Sequence, residues 1–157
     1  AVSLKGAFHL KASLNLARAT DAAGALRHLG YAQAAAAELG EDCNHFEMQF
    51  GPTNAALWSV SLPVEMGRGR DAVAQAEKVR LPADYSRERR SHFHIDRGRA
   101  YFYNGQREEA VHAFLDAERL APQATRAHAA VRETVGTMIR TQRRGELVEL
   151  GIRLGVV

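Results

Sequence analysis

SHFHIDRGRAYFYNGQREEAVHAFLDAERLAPQA, residues 91–124, is the stretch whose reading decides the fold. Its apolar residues recur with helical rather than strand periodicity on both sides of the Asn104-Gly105 pair, so it reads as two helices and a tight turn. Gly98, Ala110 and Ala117 are small and let two antiparallel helices approach closely, while Tyr101 and Phe114 fill the space beside them. Pro122 cannot sit in a helix interior and closes the unit. One such pair cannot bury its own apolar face, so the pattern predicts neighbours of the same kind and a binding surface rather than a catalytic pocket.

The rest of the chain agrees. Ala is the commonest residue, Leu, Arg and Glu are frequent, and β-branched runs are absent, which favours helix throughout. The only β-like signal is the tail Ile152 to Val157. We read a single all-α domain over 1–157 of about eight helices in four pairs, at about 2–39, 52–79, 87–120 and 124–154. Thr20 or Asp21 is placed to cap the second helix, Pro52 suits a first helical turn, and Ser86 is placed to cap the helix beginning at Arg87. In the last pair a helix over about 124–142 precedes one over about 146–154. The long connection from Gly40 to Gly51 carries Phe46, Met48 and Phe50, which are expected to tuck against the core, and has room for a helical turn.

The offsets of Gly98, Tyr101, Gly105, Ala110, Phe114, Ala117 and Pro122 resemble the tetratricopeptide repeat, a helix–turn–helix unit of about 34 residues. That resemblance implies a right-handed solenoid of antiparallel helix pairs, with a polar, atypical last pair that stops the stacking. A more specific likeness lies in Phe50-Gly51-Pro52-Thr53-Asn54-Ala55-Ala56-Leu57-Trp58-Ser59-Val60-Ser61, in Glu65-Met66-Gly67, in Ala117-Glu118-Arg119-Leu120-Ala121-Pro122 and in Val131-Arg132-Glu133-Thr134-Val135. Together these resemble the C-terminal tetratricopeptide half of actinobacterial transcriptional regulators whose N-terminal domain is a helix-turn-helix of the Xre type. The resemblance spans about Val2 to Val156. It implies a regulatory domain that binds a peptide, a protein or a small effector, in a homodimeric parent that contacts DNA only through a domain this sequence does not contain. Ala1 begins the chain without a methionine, which methionine removal would explain, and the helical periodicity that starts almost at once is expected of a piece cut or processed from a larger protein. The alternative is a stand-alone adaptor that holds partner proteins together.

In a stacked helical repeat the first helix of each pair lines the concave face. The residues expected there are Asn54, Leu57, Trp58, Ser61, Val64 and Glu65 in the second pair and His92, Ile95, Asp96, Arg99, Phe102 and Tyr103 in the third, and the eight candidates for ligand binding among them are Asn54, Trp58, Ser61, Glu65, His92, Asp96, Arg99 and Tyr103. The equivalent offsets in the first pair fall on Ala7, Leu10, Lys11, Leu14, Ala17 and Arg18. An Asn amide can pair with both polar groups of a ligand backbone, and Arg can fork a carboxylate. Trp and Tyr offer flat apolar area with a polar handle.

Other signals exclude more than they suggest. The balance of 21 basic against 18 acidic residues leaves a net charge of +3, with the basic residues dispersed, so a nucleic-acid face has little support. Cys43 is the only cysteine, which rules out an internal disulfide and suits a reducing, cytoplasmic compartment. No apolar run is long enough to span a membrane. His92 and Asp96 share the i, i+4 spacing of a helical metal pair, but no third ligand accompanies them, and His92 and His94 point to different faces. Cys43 and His45 do not make a nucleophile pair by spacing alone. Gly67-Arg68-Gly69-Arg70 lacks the preceding strand and the length of a phosphate loop. We therefore expect no enzyme, no cofactor and no metal centre.

Overall fold

The computed structural model describes residues 1–157, the side chain of Phe46 excepted. Helices account for the fold: α1 Val2–Arg18, α2 Ala22–Leu39, α3 Pro52–Glu65, α4 Gly69–Ala76, α5 Arg87–Tyr103, α6 Arg107–Leu120, α7 Pro122–Ala127, α8 Ala129–Thr141 and α9 Gly145–Leu154. The chain divides into two compact units, Ala1–Leu81 and Pro82–Val157.

In the N-terminal unit, α1 and α2 form an antiparallel pair and α3 packs against α1, α2 and α4. Small residues set the approach: Gly6, Ala7 and Ser13 on α1 and Gly24, Ala25, Ala32, Ala35 and Ala36 on α2 are buried. Much of the alanine-rich 32–37 stretch is thus spent inside the unit. Asp21, not Thr20, caps α2, its carboxylate accepting the Gly24 N–H at 2.8 Å. We expect Asp21→Ala to cost about 1 kcal/mol of stability, the usual worth of an N-cap, read from urea unfolding; an unchanged midpoint would contradict that role.

The 40–51 connection is tied down at both ends. Cys43 and Phe50 exchange backbone hydrogen bonds of 3.0 and 2.9 Å, a 3-10 turn spans His45–Glu47, and the Asp42 carboxylate accepts the Thr53 N–H at 2.9 Å, capping α3 from outside its own strand of sequence. Phe50 is buried and its ring lies over Gly6, where a Cβ would collide with it. Met48 packs on the same core, as expected; the expectation for the Phe46 side chain lies outside what the structure describes.

In the C-terminal unit, α5 and α6 are the pair read from residues 91–124, joined through Gly105 in the left-handed region at φ 80°. Ser86 caps α5 by accepting the Arg89 N–H. Gly98 lies against Phe114, which is fully buried with Ala110 and Ala117. Ser91 donates to the Ala117 carbonyl and meets the Thr125 hydroxyl, both at 3.0 Å, pinning α5 to α6 and α7. Val131, Val135, Met138, Leu147, Leu150 and Leu154 from α8 and α9 complete this core.

One expectation is corrected here. The helix expected over about 124–142 is two helices, broken at His128, whose backbone is extended at φ −72°, ψ 116°. Local propensity would carry a helix through this stretch; the anchors on Thr125 and Arg126, which reach α5 and α6, hold α7 in its own direction. The helix expected over about 146–154 is α9, which ends on Gly155 in the left-handed conformation, φ 67°. Among the described residues the sole β feature is the Cys43–Phe50 bridge, and no helix is long and apolar enough to cross a membrane.

Candidate functional site

Asn54, Trp58, Ser61 and Glu65 follow one another at spacings of four, three and four along α3. His92, Asp96, Arg99 and Tyr103 do the same along α5. At 3.6 residues per turn each set falls within an arc of about 60°, so each helix carries its four residues on a single face.

On α3, none of the four is fully buried. The Asn54 amide donates to the Gln49 carbonyl at 2.7 Å, so this side chain also ties the 40–51 connection to the helix. Trp58 is half-buried and packs on the core of its unit. The Ser61 hydroxyl donates to the Leu57 carbonyl at 3.3 Å. Glu65 meets Arg18 at 3.8 Å, an arrangement worth little where Arg18 is so exposed. Part of the expected concave set is corrected: Ala7, Leu10 and Ala17 on α1, Val64 on α3 and Ile95 on α5 are buried, because those offsets are given to helix packing within each unit.

On α5 the polar groups interact. Asp96 is buried, and its carboxylate lies 3.7 Å from the Arg99 guanidinium and 3.9 Å from the His92 ring nitrogen. The side chain of Arg99 is itself mostly covered, whereas His92 is open, its ring centroid 5.5 Å from that of His128. Tyr103 is exposed beside Phe102. Elsewhere on the helix, Arg97 stacks between Phe93 and Tyr101, 5.6 Å from each ring, and approaches His94 at 3.3 Å. Burial, with the Arg97 charge adding to it, pushes the His94 imidazole below its ordinary value. His94 is therefore a neutral part of the packing.

Periodicity along the helices did not reveal a cleft of about 880 Å³ in the C-terminal unit, where the first turns of α6 and α9 meet the end of α8. Gln106, Arg107, His112, Gln142, Arg144 and Leu147 are among its lining residues, and none of the eight candidate residues is. Arg144 pairs with Glu108 at 2.6 Å, Arg107 donates to the Thr141 hydroxyl, and the His112 ring lies 3.9 Å from Glu146. Arg107 and Arg144 stand against Glu108, Glu109 and Glu146 in its lining, and so near a balance of signs carries no strong preference for one sign of ligand. Its walls come from residues about 35 positions apart in sequence, beyond the reach of a local pattern.

Among the described residues no three His, Cys, Asp or Glu side chains gather as a metal cage. No family model matches the chain, and no match was found among curated proteins or solved structures. The two helix faces carry amide, hydroxyl, carboxylate, guanidinium and aromatic groups.

Proposed function

We propose that this chain is a tetratricopeptide-type binding domain, the regulatory part of a bacterial transcriptional regulator, and that it takes a peptide, a protein segment or a small effector on the α3 and α5 faces. The observation that carries the reading is the pair of matched faces: two helices of 14 and 17 residues, each with four polar or aromatic side chains at the same spacing. The close α5–α6 approach at Gly98 supports the repeat architecture behind it. In this reading the α3 face, taken by itself, offers contact area from Trp58 and hydrogen bonds from Asn54, and the α5 face, taken by itself, offers contact area from Tyr103, hydrogen bonds from His92 and the paired charges of Arg99 and Asp96. The regulator context, with its homodimer and cytoplasmic location, rests on the resemblance of the Phe50 to Ser61 segment and its companions.

The test is a selection of peptides on the chain, followed by affinity measurement on variants. Tyr103→Ala and His92→Ala are expected to weaken the selected ligand by about thirtyfold each, the scale of an interface hot spot, with unfolding midpoints unchanged. Both side chains are exposed, so a loss of affinity there reports on the face and not on the core. Ligands that bind equally well to both variants would place recognition elsewhere, with the α6–α9 cleft the next surface to probe. The parent gene separates the two contexts: an in-frame helix-turn-helix domain ahead of the codon for Ala1 makes this the sensing part of a regulator, and a start codon there makes it an adaptor.

A further inference from the structure

Away from the α3 and α5 faces, α1 and α2 bring two histidines together. The Nδ1 atoms of His9 and His28 are 3.0 Å apart, with ring centroids 5.1 Å apart and the rings inclined at 51°. Tyr31 completes a three-ring group, its centroid 5.1 Å from His9 and 5.8 Å from His28. Both imidazoles are half-buried, and a hollow of about 290 Å³ lined by Lys5, His9, Tyr31 and Glu38 opens beside them.

We propose that His9 and His28 form a bidentate site for a divalent transition-metal ion of the Ni²⁺, Cu²⁺ and Zn²⁺ group. The separation of the two nitrogens is the first reason. Metal–imidazole bonds of about 2.0–2.1 Å place neighbouring ligands about 2.9 Å apart in square or octahedral geometry and about 3.3 Å apart in a tetrahedron. The observed 3.0 Å fits the former best and lies within a small ring movement of the latter. The surroundings are the second: the two rings are half-buried side by side on different helices, and the Glu38 carboxylate lines the hollow that opens beside His9. In the free pair one Nδ1–H donates to the other Nδ1. On binding, that proton moves through solvent to the Nε2 of the same ring, and both Nδ1 lone pairs turn to the ion. Water from the hollow completes the coordination shell, and the Glu38 carboxylate offers those waters an acceptor. Lys5 opposes the cation, but it is exposed and screened. Because the two ligands come from different helices, the ion clips α1 to α2.

The test uses the untagged chain and Ni²⁺, which, unlike Cu²⁺, does not oxidise the Cys43 thiol. Calorimetric titration is expected to show one ion per chain, and the unfolding midpoint should rise with Ni²⁺ concentration. His9→Ala and His28→Ala should each weaken binding by at least about tenfold, the lower end of what losing a mere outer-shell partner costs, and should abolish the rise in midpoint. Cys43→Ser and His112→Ala should bind as the parent does. His9→Gln, which keeps a side chain of similar reach between the helices, carries the test if an alanine variant unfolds. Absence of Ni²⁺ binding, equal affinity in the histidine variants, or loss of binding in Cys43→Ser would each overturn the proposal.

Discussion

Phe114→Ala is expected to destabilise the C-terminal unit by about 3–5 kcal/mol, and to reverse the sign of a second substitution at Gly98. Phe114 is fully buried in the core shared by α5, α6, α8 and α9, and a Cβ placed on Gly98 would lie 2.5 Å from its ring. Two effects compete at Gly98. Alanine is the better helix former by about 1 kcal/mol, while pushing the ring aside costs about 1–3 kcal/mol in a packed core. With Phe114 present the clash dominates, so Gly98→Ala alone should destabilise. With Phe114 removed, the methyl enters the vacated space and only the propensity gain remains. Gly98→Ala should then stabilise by up to about 1 kcal/mol. The four chains of this cycle, compared by urea unfolding, give a coupling energy that reports the α5–α6 contact directly. A Gly98→Ala effect of the same sign in both backgrounds would mean that the ring yields to the methyl at little cost.

That contact is also the part of the fold most legible in the amino-acid sequence. Gly98, Ala110 and Ala117 announce a close helix pair because only small residues permit one, and Asp21, Ser86 and Gly105 announce helix ends because capping and left-handed backbone are local chemistry. The unread parts depend on partners far away in the chain. Nothing local to His128 breaks a helix; the break follows from Thr125 bonding Ser91, 34 residues earlier. Nothing local to Phe50 says that its ring will rest on Gly6. The candidate site divides along the same line. Periodicity places Asn54 to Glu65 and His92 to Tyr103 on single faces, because that follows from the helical repeat alone. It does not say that Asp96 is buried beside Arg99 while His92, one turn away, stays open. Nor does it pair His9 with His28, since that depends on how α1 and α2 are rotated about their axes.

Glu118→Ala is expected to cost about 3 kcal/mol, and the stability it removes should depend on pH in one direction only. Glu118 is buried at the end of α6, its carboxylate bound by two guanidinium N–H groups of Arg153 at 2.8–3.1 Å and by Arg126 at 2.8 Å. One side chain thus joins α6 to α7 and α9. Breaking a buried ion pair costs about 3–5 kcal/mol, and the low end applies because both arginines keep enough exposure to be rehydrated once the carboxylate is gone. The Arg153 hydrogen bonds, outweighing burial, hold the Glu118 carboxyl below its ordinary value of 4.5. A carboxylate with a depressed folded-state value stabilises the fold fully above its unfolded value, and that contribution fades as pH falls through the folded one. The difference in unfolding free energy between the parent and Glu118→Gln should therefore be flat from neutral pH down to about 5 and shrink only below it. His94 acts over a different range. Its neutral, packed form is favoured, so its contribution is lost as pH falls below the ordinary imidazole value of 6.5, in the parent and the variant alike. The subtraction cancels it. A difference that instead shrinks between pH 7 and 5 would mean that an imidazole, not the Glu118 carboxylate, controls the junction of α6, α7 and α9.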